Sequence, residues 1–187
     1  MPATERLVTF APGELPPQRL YLDNDILVSY LFNGQPRHQA ASGFLQSVLQ
    51  HGLTTLYLSS LVWSEFLHTA RRENFRKSLV PGTFNPDIVI RWHDPSVREE
   101  YVDSCMNALE SLLQHFNWIE IPLGPEVRTS AYRLTVQYNL QPDDAIHIAS
   151  ALRPGVVDIA SFDRAFRRVD GLYLWNDHIH TGNPGSS

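Results

Sequence analysis

Short apolar runs alternate with stretches of helical spacing along most of the chain. Arg19-Leu-Tyr-Leu-Asp23 reads as a short β-stretch ending in an acid, after which Ile26, Leu27, Tyr30 and Leu31 recur at helical spacing. Pro36 opens a second helical segment with Phe44, Leu45, Val48 and Leu49 as its stripe, and Gly52 stops it. Thr55-Leu-Tyr-Leu58 is the second strand, and Ser59 or Ser60 can cap a helix carrying Leu61, Val62, Phe66 and Leu67. Over 78–95 the turn pairs Pro81-Gly82, Asn85-Pro86 and Asp94-Pro95 break the pattern; between them Ile88-Val89-Ile90 reads as an extra strand or a packed loop. A long helix then runs from about Ser96 to His115, followed by a strand at Trp118–Ile121, helices at Pro125–Tyr138 and from Pro142 to about Leu152, and strands at Val156–Ala160 and Leu172–Trp175.

Strands alternating with helices predict an α/β fold with a mainly parallel sheet of about five strands over residues 19–175. Residues 1–18 are Pro-rich without periodicity and read as a surface arm, 78–95 as a loop insertion, and 176–187 as a flexible tail. With 187 residues, 43% of them apolar and 19% charged, the chain has enough apolar material for one core and is not a disordered polymer. No apolar run is long enough for a membrane span, and no secretory signal is visible near Met1, so a cytoplasmic protein is expected. The single cysteine, Cys105, cannot form an internal disulfide; with Val102, Met106 and Leu109 at helical spacing it reads as a packing residue.

The net charge of −5 argues against a protein that coats nucleic acid through overall positive charge. A nucleic-acid partner then requires local basic patches or a metal that cancels clustered acids. Arg71, Arg72, Arg76 and Lys77 form one patch and Arg164, Arg167 and Arg168 another, each behind an acid; either can hold phosphates or simply favour a helix end.

Parallel α/β sheets bind ligands at the C-terminal ends of their strands, which singles out the acids there. Asp23 closes the first strand, with Asp25 two residues on. Glu65 lies early in the helix after the second strand, Asp144 near the start of the Pro142 helix, and Asp163 just past the fourth strand. Alone, each acid is also explained by helix capping. Together, acids flanked by apolar residues are costly to crowd unless a cation such as Mg²⁺ or Mn²⁺ relieves the repulsion. Asp144 rather than Asp143 is expected at the site, because Ile148, Ala151 and Leu152 share its helix face, whereas His147 and Ser150 place Asp143 towards a solvent edge.

Tyr21-Leu-Asp-Asn-Asp-Ile-Leu27, Leu58-Ser-Ser-Leu-Val-Trp-Ser-Glu65, Pro142-Asp-Asp-Ala-Ile-His-Ile-Ala149 and Ile159-Ala-Ser-Phe-Asp-Arg-Ala-Phe166 resemble, in order and spacing, the four acidic motifs of PIN-domain proteins, with the closest likeness to the VapC toxin ribonucleases of VapBC toxin–antitoxin systems. The resemblance implies a PIN-like α/β/α sandwich and Mg²⁺- or Mn²⁺-dependent cleavage of RNA. It implies Asp23, Glu65, Asp144 and Asp163 as catalytic metal-binding acids, a small antitoxin partner and a homodimer. Ser161 stands where Thr is common and, with Arg71, Arg72 and Arg164, is a candidate for contact with RNA. Asp25 stands where Asn is common and can add a carboxylate.

Two other readings remain. Asp23-Asn-Asp25 after a strand imitates the nucleophile motif of haloacid dehalogenase-type phosphohydrolases, which also need a lysine beside the phosphate; the one lysine here, Lys77, lies in a polar helix end. A PIN scaffold can also bind RNA or protein without cutting. His147, three residues after Asp144, reads as a polar helix neighbour more than as a member of the site, and His178 and His180 fall in the tail. Ile88–Ile90 and Trp92 offer apolar surface for a partner or for the core, and Trp63 reads as packed against the sheet.

Overall fold

A computed structural model describes residues 7–9, 15–78 and 94–177, without the side chains of 7–9, 72–78 and 97. In chain order the elements are β1 (Leu7–Thr9), β2 (Arg19–Leu22), α1 (Asn24–Leu31), α2 (His38–His51), β3 (Thr55–Ser59), α3 (Leu61–Ser78), α4 (Pro95–Leu113), β4 (Asn117–Ile121), α5 (Pro125–Tyr138), α6 (Pro142–Leu152), β5 (Asp158–Ala160), a 3₁₀ turn (Arg164–Arg168) and β6 (Tyr173–Asn176). The strands form one sheet in the order β1-β6-β5-β2-β3-β4, with every pairing parallel.

The alternation of side chains along the inner strands builds two cores. Leu20 and Leu22 of β2, Leu56 and Leu58 of β3, Ala160 of β5 and Trp175 of β6 share one face with the apolar stripes of α1, α2, α3 and α4. Tyr21, Tyr57, Ile159 and Leu174, one position out of phase, share the other face with α5 and α6. The register pairs like with like: Leu20 opposes Leu56, Tyr21 opposes both Tyr57 and Ile159, and Ala160 opposes Trp175. A parallel sheet covered on both sides favours continuous apolar strands, which is why β2 and β3 read clearly in the sequence. The result is the expected α/β/α sandwich.

Local chemistry fixes the element ends. Gly52 ends α2 at φ +68°, a left-handed conformation with little cost for glycine. Asp94 caps α4 by accepting from the Ser96 N–H at 3.0 Å, ahead of Pro95. Cys105 is buried among the apolar residues below α1–α4, and Trp63 packs at the edge of that core, meeting the Trp118 ring edge-on with centroids 6.0 Å apart.

Three features differ from the sequence reading. Leu7–Thr9, within the segment read as an arm, forms a sixth strand beside β6. Three residues are too few to show a period, but β6 otherwise leaves an open edge that accepts a short partner. The second helix starts at His38 rather than Pro36. Leu152, placed on the apolar face of α6, is 39% exposed at that helix's end. The Ile88–Ile90 segment and Trp92 lie outside the described residues.

Phe66 of α3 is 1% exposed and packs 6.1 Å, centroid to centroid, from Phe32. Phe66→Ala is expected to lower stability by about 3–5 kcal/mol, because the core above β2 and β3 cannot close over the lost ring. Equilibrium urea unfolding measures this; a loss below about 1 kcal/mol would mean that α3 is not held by that core.

Candidate active site

The site forms where β2 and β5 end side by side. The Asp23 N–H donates to the Ala160 carbonyl at 3.0 Å, so the loops leaving the two strands begin together. The Asp23 carboxylate caps α1 by accepting from the Asn24 N–H at 2.7 Å and accepts the Ser161 hydroxyl at 2.6 Å. Ser161 Oγ lies 3.3 Å from Asp25 and accepts from the Asp163 N–H at 2.9 Å. Asp25 accepts from the Phe162 N–H at 2.8 Å, leaving its other oxygen buried without a hydrogen-bond partner. Asp163 caps the 3₁₀ turn by accepting from the Ala165 N–H at 2.7 Å. Ser161, expected to meet RNA, is fully buried and instead fastens Asp23 and Asp163 together.

Glu65 enters from α3, which covers one face of the sheet, while Asp144 and His147 enter from α6 on the other. His147 Nε2 lies 2.8 Å from a Glu65 oxygen and 3.6 Å from Asp23, and its Nδ1 lies 2.8 Å from the Tyr21 hydroxyl. This corrects the sequence reading of His147 and Ser150 as a solvent edge: both are buried. Helix α6 packs against both the sheet and α5, so almost all of its circumference is covered between Ala145 and Ala151. The available signal was a histidine between Ile146 and Ile148, since a polar group in so apolar a helix needs a partner. Asp143 is exposed in the first turn of α6, as expected for an acid explained by the helix terminus. Asp144 is half-buried and Asp163 exposed.

Burial first, and then neighbouring carboxylates, push Asp23, Asp25 and Asp144 towards protonation. Burial raises Asp23, and Glu65 adds to this, against His147 and Ser161. Burial and then Asp23 hold Asp25 well above the usual carboxylate range, against the Phe162 N–H. Burial, followed by the charges of Asp163 and Asp23, lifts Asp144 to about 6. Burial alone would lower the His147 imidazole, but Asp23, Glu65 and Asp25 outweigh it and raise the group to about 9. Burial lifts the Tyr21 phenol far above its ordinary range, so it stays neutral.

The acids gathered here outnumber the one positive charge that His147 brings among them. Ligand atoms of Asp23, Glu65 and His147 lie within 4.8 Å of one another, so this acidic cluster can hold a metal ion. The carboxylate oxygens of Asp23 and Glu65, with the acids around them, suit a hard cation such as Mg²⁺ or Mn²⁺. Of the basic residues proposed to face RNA, Arg71 on α3 and Arg164 on the 3₁₀ turn are exposed. The side chain of Arg72 is outside the described set. Arg168 is tied to the Asn139 carbonyl at 2.7 Å.

Comparison with known proteins matches residues 20–172 to the family model described as the PIN domain. Ribonuclease VapC6 of Methanocaldococcus jannaschii is 21% identical over 161 residues, covering 84% of this chain and 97% of that protein. Two crystal structures share the fold. VapBC2 from Rickettsia felis, bound to a DNA fragment from its promoter, has a TM-score of 0.54 at 12% identity, covering 84% of this chain and 98% of that one. VapC20 from Mycobacterium tuberculosis, a sarcin–ricin loop cleaving toxin, has a TM-score of 0.51 at 14% identity, covering 79% and 92%.

The raised Asp144 carboxyl makes stability depend on pH. Its folded value of about 6 exceeds the ordinary 3.8, so the native state binds this proton more tightly than the unfolded chain. Its contribution is full below about pH 4 and is lost as pH rises through about 6. In EDTA, Asp144→Asn should therefore have a higher Tm than the parent at about pH 7 and a flatter Tm profile between about pH 4 and 6. Thermal unfolding across that range measures both; a profile parallel to the parent's would place Asp144 outside the crowded carboxylates.

Proposed function

From the premise that this chain belongs to the PIN-domain family, we propose that it is a Mg²⁺- or Mn²⁺-dependent endoribonuclease, the toxin of a type II toxin–antitoxin system. The observation that carries this reading is the carboxyl cluster at the ends of β2 and β5, where Asp23, Asp144 and Asp163 act on one another and Glu65 reaches Asp23 through His147. The name of the archaeal relative, a VapC ribonuclease, points the same way.

Asp23, Glu65, Asp144 and Asp163 would hold the metal. When bound, the ion supplies Lewis-acid charge and a lowered pKa for attacking water. The chain's own contribution is to keep these acids in place. The Asn24 N–H and the Ser161 hydroxyl fix Asp23, and the Ala165 N–H fixes Asp163. Asp25 adds a carboxylate held by the Phe162 N–H. Without a cation such a crevice repels a phosphodiester, so RNA binding and metal binding are linked. Arg71, Arg72 and Arg164 are assigned to RNA phosphates beyond the carboxylates.

The partner reading follows from relatives solved as toxin–antitoxin complexes, the Rickettsia felis VapBC2 structure among them. It comprises a small antitoxin with an Arg-bearing segment that pairs with the acids, and a homodimer of this chain. We propose the cytoplasm as the place of this reaction. Among the described residues no helix is long and apolar enough to cross a membrane.

Purified protein is expected to cut RNA with Mn²⁺ or Mg²⁺ and to stop in EDTA. Asp23→Asn and Asp144→Asn should each lose nearly all cleavage while still folding. Asp143→Asn should keep most of it, losing under about 1 kcal/mol of stability from its helix-end interaction. Cleavage rates on a labelled RNA check this. Wild-type rates in the Asp144 variant, with loss in the Asp143 variant, would move the third acid by one residue.

A further inference from the structure

His147 joins three elements that the sequence keeps far apart. It sits on α6, reaches Glu65 of α3 across 82 positions, and reaches Tyr21 of β2 across 126. The ring is 3% exposed, so its two nitrogens have few alternatives to these partners. The Tyr21 ring meets the imidazole edge-on at 5.9 Å between centroids, which restricts its rotation.

The hydrogen-bond roles follow from donor chemistry. An ionised Glu65 only accepts, so the 2.8 Å contact requires a proton on His147 Nε2. Nδ1 then either accepts from the Tyr21 hydroxyl or donates to its oxygen, and both arrangements keep a donor aimed at Glu65. Glu65 needs such a hold. It is half-buried on the helix layer opposite α6, and the only other described ion-pair contact of His147 is the longer one to Asp23 at 3.6 Å.

Resting on the ribonuclease reading, we propose that His147, anchored by Tyr21, is a positioning residue that holds the Glu65 carboxylate in place beside Asp23. It acts through Glu65. Groups of this kind, hydrogen-bonded behind a metal-binding carboxylate, typically change metal affinity or activity by about 10–100-fold when removed.

The test is a double-mutant cycle in the full chain, with Mn²⁺ and an RNA oligonucleotide that the wild type cuts. His147→Ala and Glu65→Gln should each lower kcat by about 10–100-fold with a smaller change in KM. His147→Gln should recover much of the loss, since its amide N–H can reach the same carboxylate. Adding His147→Ala to Glu65→Gln should cost nothing further. Tyr21→Phe removes one oxygen and keeps the core; calorimetry should show weaker Mn²⁺ binding. Pulsed EPR of Mn²⁺ in protein carrying ¹⁵N-histidine should show no directly bound nitrogen. Additive losses in the double variant, a bound ¹⁵N signal, or wild-type Mn²⁺ affinity in Tyr21→Phe would each overturn the assignment. Wild-type protein that binds Mn²⁺ but cuts no RNA would instead overturn the ribonuclease reading, and the calorimetry and EPR would still decide the role of His147.

Discussion

Parallel pairing of β2 with β5 is the constraint on which this molecule depends. Parallel strands end at the same side of a sheet, so chemistry placed just after them converges. The Asp23 N–H to Ala160 carbonyl bond brings the loop carrying Asp23 and Asp25 against the loop carrying Ser161 and Asp163. Parallel pairing also demands cover on both faces. That demand supplies α3 on one side and α6 on the other, and hence Glu65 and His147 above the same strand ends.

The convergence has an electrostatic consequence. Burial and mutual repulsion raise Asp23, Asp25 and Asp144 towards protonation. The fold opposes this with short hydrogen bonds from the backbone N–H groups of Asn24 and Phe162, the Ser161 hydroxyl, and the charge of the buried His147. These donors hold the acids in position and offset only part of their charge. A cation that binds the folded chain and not the unfolded one would therefore both complete the chemistry and stabilise the protein.

The sequence by itself determined the layered architecture and the identity of the crowded acids. Inner strands buried on both faces must be apolar along their length, so β2 and β3 stand out as runs, and the acids follow near the strand–helix junctions. Tertiary structure alone decided the rest. Leu7–Thr9 became a strand only because β6 had an edge to share. Ser161 became an internal fastener because β5 ends against β2. His147 left the expected solvent edge because α6 is covered on nearly all sides, and its partners Glu65 and Tyr21 lie 82 and 126 positions away. Periodicity and capping are written in neighbouring residues, whereas a buried polar group takes its role from whatever distant element the packing places within hydrogen-bond reach.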